Sequence, residues 1–205
     1  MTPLDRKIYL ASRSPRRREL LQQIGVRFEL LLFRSPPRAD AEVDESQLPG
    51  EPADDYVVRV CRAKAEHGAR QMRQRRLPQR LLLAADTTLD LDGEVIAKPR
   101  DAADANDILG RLSGKTHRVL TAVAVVAGER VEHVVSVSAV RFRTLQQDEI
   151  RRYVASGEPL DKAGAYGIQG HAAMFVEEIR GSHSGIVGLP LCETALLLRR
   201  FGYPL

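Results

Sequence analysis

The sequence has no tryptophan, only two cysteines, and aromatic residues at just 5% of its 205 positions. Cys61 and Cys192 lie too far apart in the chain to suggest a disulfide framework or zinc-ligand spacing. Each falls in an apolar helical pattern, which predicts two small core side chains and suits a reducing cytoplasm. Aromatics interleaved with basic residues are missing too, which removes the stacking platforms that single-stranded nucleic acids need and argues against a nucleic-acid partner. No run of about 18 apolar residues offers a membrane span. Met1 to Lys7 lacks the apolar core of a signal peptide, so a soluble, cytoplasmic protein is expected. There is no His-Glu-x-x-His and no Gly-x-Ser-x-Gly, and the five histidines (67, 117, 133, 171 and 183) are scattered without ligand spacing. Zinc hydrolysis and serine-triad chemistry lose support accordingly. Gly110-Arg-Leu-Ser-Gly-Lys-Thr116 is one residue short of a P-loop and runs from a helix into a strand, the reverse of that motif.

What is present is enough apolar material, 43% of the chain, for one substantial core. One domain spanning residues 1–205 is therefore the default. Lys and Arg number 31 against 27 Asp and Glu, a net charge of +4 that is mixed along the chain, compatible with small anionic ligands. Hydrophobic spacing predicts a strand over Ile8–Ala11, a helix opened by Ser14 and stopped by Gly25, and a strand over Phe28–Phe33. A proline-rich loop over Arg34–Pro52 follows, then a long helix from Ala53 to about Arg76. Leu81–Ala85 reads as a buried strand that places Asp86 at its C-terminal edge. Asp92-Gly93 signals a hairpin, and Asp101 caps a helix ended by Gly114. His117–Ala127 and Val131–Phe142 form a long antiparallel pair, so the sheet must be mixed. Thr144 with Gln147 suggests a capping box for a helix to Ala155. A glycine-rich loop over Asp161–Gly170, a strand over Met174–Ile179, a further loop and a helix over Pro190–Phe201 complete the chain.

One segment breaks a local rule. In Ser14-Pro-Arg16-Arg17 the first helical turn carries arginines, although that end already presents unpaired N–H groups and partial positive charge. An anion-binding reading combines those N–H groups with guanidinium forks that suit phosphate oxygens; a solvated basic helix end is the plain alternative. Asp86, Lys98 before Pro99, and Gln169 in the glycine loop complete a constellation that suggests phosphate chemistry. Singly, Asp86 could cap a turn, Lys98 could be solvated, and Gln169 could brace its loop.

The strings Ala11-Ser-x-Ser-Pro-Arg-Arg, Ala85-Asp-Thr, Lys98-Pro, Leu112-Ser-Gly-x-x-His117, Lys162-Ala-Gly-Ala-Tyr-Gly-Ile-Gln-Gly and Gly188-Leu-Pro-Leu-x-Glu193 resemble the Maf family of nucleoside triphosphate pyrophosphatases in order and over nearly the whole chain. The resemblance implies an α/β fold around an elongated mixed sheet flanked by helices, with a central nucleotide cleft (Maf/ITPase-like). It implies hydrolysis of dTTP and UTP to monophosphate and pyrophosphate, with a nucleotide-binding regulator of division and septum formation as the alternative. Asp86 matches the proposed proton acceptor, and Arg16, Thr87 and Gln169 match positions linked to substrate choice. On that basis Ser12, Arg16, Arg17, Lys64 and Lys98 would join Thr87 and Gln169 in binding substrate. A divalent cation, Mg or Mn, would sit on Asp86 and Glu45, with Asp86 acting as base, metal ligand or both. The partner is a small nucleoside triphosphate, with no nucleic acid or membrane, and a homodimer is compatible with the family.

Overall fold

The architecture is organised around one ten-residue strand, β3 (Leu82–Leu91). The computed structural model describes residues 7–32 and 43–205; the first part of the proline-rich loop, the Phe33 end of the second predicted strand, and residues 1–6 lie outside the described residues. In chain order β1 (Ile8–Leu10), α1 (Pro15–Gln23), β2 (Phe28–Leu30) and α2 (Ala53–Gln74) precede β3. After it come β4 (Glu94–Ile96), α3 (Ala102–Leu112), β5 (Thr116–Ala127), β6 (Arg130–Phe142), α4 (Gln147–Ala155), β7 (Val176–Arg180), α5 (His183–Val187) and α6 (Leu191–Arg200).

Among the described residues seven strands make one mixed sheet in the order β2-β1-β3-β5-β6-β7, with β4 also on β3. β1 runs parallel to β2 and β3, while β3, β5, β6 and β7 pair antiparallel. Strand alternation sends Leu83, Ala85 and Leu89 of β3 and Val119, Val123 and Val125 of β5 into a core shared with helices α1, α3, α4 and α6. Leu82, Ala84, Leu120, Ala122 and Ala124 face the other way, against Val57, Cys61 and Ala65 of α2. Alanines on the sheet let α2 lie close: a Cβ on Gly68 would come within 2.7 Å of Leu82 Cδ1.

The local signals for α1 hold. Ser14 Oγ accepts from the Arg17 N–H at 3.4 Å, Pro15 opens the helix, Leu20 and Leu21 are buried, and Gly25 leaves it at φ +72°. Four readings need correction. β3 does not end before Asp86 but continues to Leu91, because residues 82–90 keep an unbroken antiparallel partner in β5. The helix after β6 opens on Gln146, whose N–H donates to the Glu149 carboxylate at 3.0 Å; Thr144 lies before it, between β6 and α4, flanked by bonds from Gly114 N to Arg143 O and from Leu145 N to Ser113 Oγ. The loop before the last helix contains α5, capped by Ser182. Cys192 is exposed whereas Cys61 is buried, since Cys192 lies on the outward face of α6, whose inner face is Thr194, Leu197 and Leu198. The basic tail of α2 is partly tied down, with Arg80 on Glu29 at 2.9 Å and Arg75 on the Leu32 carbonyl at 3.1 Å.

Gly164, at φ +71°, packs its bare Cα against Leu89 of β3, and its N–H donates to the Ala97 carbonyl. An added Cβ would overlap Leu89 Cδ2 on a backbone that disfavours side chains. Gly164→Ala is therefore expected to lower unfolding free energy by about 2 kcal/mol or more, visible as an earlier urea midpoint; an unchanged midpoint would show that this packing is not constrained.

Candidate active site

β3 is paired on one edge by β5 along its length, but on its other edge by β1 only at Leu82–Leu83 and by β4 only at Leu89–Leu91. Among the described residues no strand covers residues 84–88 on that side, and there a cleft of about 1290 Å³ opens. Adjacent strand residues point to opposite faces, so Asp86 reaches the α2 side and Thr87 the α5 side of the same opening.

The cleft gathers what the sequence dispersed. Ser12, Arg16, Arg17 and Glu45 line it, as do Lys64, Asp86, Thr87, Lys98 and Gln169. Arg16 and Lys98 make no ion pair or hydrogen bond among the described residues, leaving their cationic heads available to a ligand. The other two cations are engaged. Lys64 Nζ bridges Asp86 Oδ1 at 2.7 Å and Glu45 Oε2 at 2.8 Å. Arg17 donates through Nε to the Gly188 carbonyl (2.8 Å), through Nη1 to Ser12 Oγ (3.3 Å) and through Nη2 to Thr87 Oγ1 (3.1 Å). Of the five guanidinium N–H groups, three hold protein atoms, so Arg17 first of all ties α1 to β3 and to the turn before α6. Burial lowers the Arg17 pKa, and the Asp86 carboxylate opposes that shift.

Asp86 is 7% exposed and sits between the sheet and α2, where Cys61 packs under it. Burial and the negative charge of Asp86 push the Cys61 thiol up to about 12, so it is an inert packing group. Among the described residues no three His, Cys, Asp or Glu side chains converge as a ready-made metal cage. Asp86 and Glu45 do converge, on the Lys64 ammonium.

Gln169 is exposed in the cleft wall, on a loop held from behind by groups that sequence reasoning did not single out. Glu158 accepts from Tyr153 Oη at 2.9 Å and from the His171 N–H at 3.2 Å, and its carboxylate fills the space where a Cβ on Gly170 would go. His117 Nε2 bonds Tyr166 Oη at 2.8 Å, with Phe142 edge-on to both rings. His117 and Tyr166 stand inside the quoted family strings without a role being visible there; Thr121, a lone hydroxyl in the apolar run of β5, is the one signal that could have been read.

Fold and cleft together define an α/β protein whose mixed sheet is breached beside its central strand, with unengaged cations and a lysine-bridged pair of carboxylates at the breach. The chain belongs to the Maf family: the model for Maf-like proteins matches residues 7–201. A dTTP/UTP pyrophosphatase of Aromatoleum aromaticum is 63% identical over 206 residues, covering 100% of both chains. One from Dechloromonas aromatica is 58% identical over 96% of this chain and 98% of its own, and one from Cupriavidus pinatubonensis 59% identical over 94% and 96%. Among solved structures, the Staphylococcus aureus Ham1 protein overlaps 66% of this chain and 71% of its own at a TM-score of 0.43 and 14% identity. No helix among the described residues is long and apolar enough to cross a membrane.

Burial pushes the His117 pKa from 6.5 down to about 4. The unfolded chain therefore takes up this proton first, so the contribution is complete above pH 6.5 and is lost as pH falls toward 4. Between pH 7 and pH 5 the loss is about 2 kcal/mol, above the range in which ordinary carboxylates titrate. Urea unfolding at the two pH values is expected to show it, and His117→Gln to flatten it; equal slopes in both proteins would remove His117 as the cause.

Proposed function

We propose that this chain is a nucleoside triphosphate pyrophosphatase that hydrolyses dTTP and UTP to the monophosphate and pyrophosphate. The observation that carries the reading is the convergence of Arg16, Arg17, Lys64, Lys98 and Asp86 on one cleft. The names and near full-length identity of the relatives support the same substrates. One domain over residues 1–205 does this work, in the cytoplasm, on a small-molecule partner. The single sheet on which both cores pack supports the first statement, and two free cysteines suit the second.

Hydrolysis of the α–β anhydride needs neutralised phosphates, a placed water and a stabilised leaving group. Arg16 and Lys98 provide unengaged charge for the phosphate tail, and Arg17 contributes the two N–H groups it does not use on the protein. Ser12 keeps Arg17 in place. Asp86 orients water and takes its proton as the water oxygen bonds to phosphorus and the bridging oxygen departs with pyrophosphate. Lys64 holds that carboxylate in position through their 2.7 Å ion pair.

Asp86 and Glu45 fit a divalent cation, Mg or Mn, because both are hard oxygen donors already drawn to one positive centre. Such an ion would supply charge neutralisation at the phosphates.

Purified protein given a panel of triphosphates with magnesium or manganese is expected to release pyrophosphate, one per monophosphate and without orthophosphate, fastest from dTTP and UTP. Asp86→Asn should lower kcat by about 100-fold or more while nucleotide binding survives; wild-type turnover in that variant overturns the assignment. Gln169 offers a donor and an acceptor to a pyrimidine edge. Gln169→Ala is accordingly expected to blunt the preference for dTTP and UTP over GTP more than it slows hydrolysis, and unchanged relative rates would exclude it from base selection.

A further inference from the structure

We infer that Thr121, which has no surface in the cleft, fixes the proton of the Thr87 hydroxyl. Thr87 then meets the bound nucleotide only as a hydrogen-bond acceptor, facing an N–H or O–H of the base or sugar and not a phosphate oxygen. The inference rests on the cleft being a nucleotide site and says which part of the nucleotide lies where.

The argument is a proton count. Thr121 is fully buried, and its Oγ1 lies 2.8 Å from the Gly185 carbonyl. A carbonyl only accepts, so the single Thr121 proton points at Gly185. Thr87 Oγ1 is 2.9 Å from Thr121 Oγ1, and with the Thr121 proton committed, Thr87 must be the donor of that bond. The remaining hydrogen-bond partner of Thr87 among the described residues, Arg17 Nη2 at 3.1 Å, has protons and no lone pair, so it donates to Thr87. Arg17 is itself anchored on Gly188 and Ser12, which keeps this donor in place. Thr87 has then given its proton and filled one lone pair, and the lone pair left over is what it offers to the cleft that it lines.

An ionised phosphate oxygen has no proton to give and would meet that lone pair with repulsion. A base N–H or a sugar hydroxyl would meet it with a bond. The chain Arg17–Thr87–Thr121–Gly185 crosses from α1 through β3 and β5 to α5, so the direction of one hydroxyl is set by four elements. Thr121 is a positioning residue in this scheme: it touches Thr87, not the ligand.

The test compares binding of a non-hydrolysable dTTP analogue with that of inorganic tripolyphosphate, by calorimetry, in wild type and variants. Thr121→Val frees the Thr87 proton and is expected to weaken analogue binding about tenfold, the size of one hydrogen bond. Tripolyphosphate binding should stay within about twofold, and Thr121→Ser, which keeps the hydroxyl, should bind both as wild type does. Thr87→Val, which also removes one of the three protein oxygens that hold Arg17, should weaken analogue binding more than tripolyphosphate binding, and the double variant should lose no more than Thr87→Val alone. Should Thr121→Val fail to fold, the contrast between the two ligands in Thr87→Val decides. Equal weakening of both ligands, or wild-type analogue binding in Thr121→Val or Thr87→Val, overturns the inference. So does a fall in kcat with binding unchanged, which would assign the donor to the attacking water. Because binding is read without turnover, a protein that releases no pyrophosphate refutes the proposed activity and leaves this comparison intact.

Discussion

The site depends on a missing stretch of strand pairing. β3 has a continuous neighbour in β5 on one edge, but on the other β1 stops at Leu10 and β4 begins its pairing only opposite Leu89. A strand edge in the middle of a sheet is ordinarily closed by backbone bonds. With no strand neighbour for residues 84–88 on that edge among the described residues, the interior of the sheet becomes a wall of the cleft. It also lets two consecutive side chains, Asp86 and Thr87, serve one cavity from opposite faces. Few other arrangements would present a buried carboxylate and a hydroxyl network side by side without a loop to carry them.

Around that opening the charges divide into those that hold the protein and those that face the cleft unengaged. Arg17 and Lys64 bind protein oxygens and are oriented by them, while Arg16 and Lys98 have no such engagement. A preoriented donor loses little freedom when a ligand arrives, and an unengaged one gives up no existing bond. The first pair sets geometry, and the second supplies attraction. Gln169 belongs to a third group, an exposed amide whose loop is fixed by Glu158 and Tyr153 and, further down, by the His117–Tyr166 pair in the aromatic core.

Much of this was legible in the sequence because the governing forces are local. Ser14-Pro15 as a helix start, Asp92-Gly93 as a turn and the two long alternating strands follow from capping, backbone permissiveness and side-chain periodicity. All the candidate site residues named from the motifs do line one cleft. What could not be read is where a strand loses its neighbour. Asp86 looked like a strand terminus because polar residues follow an apolar run, yet the chain runs on, and the feature that ends is β1, distant in sequence. Cys192 shared an apolar pattern with true core residues, and only the placement of α6 against β5 and β6 shows which face turns outward. The engagement of Arg17 by Gly188 and of Thr87 by Thr121 joins segments separated by 171 and 34 positions, and no local pattern encodes it.

Arg16 and Lys98 stand in the cleft wall without an ion pair or hydrogen bond to the described residues, while the Asp161 carboxylate acts on Arg16 through space. Any polyanion that settles in the cleft meets both charges and fastens the helices on one face to α2 on the other. The ligand would therefore act as a removable rivet across the sheet, one whose grip weakens as salt screens the charges.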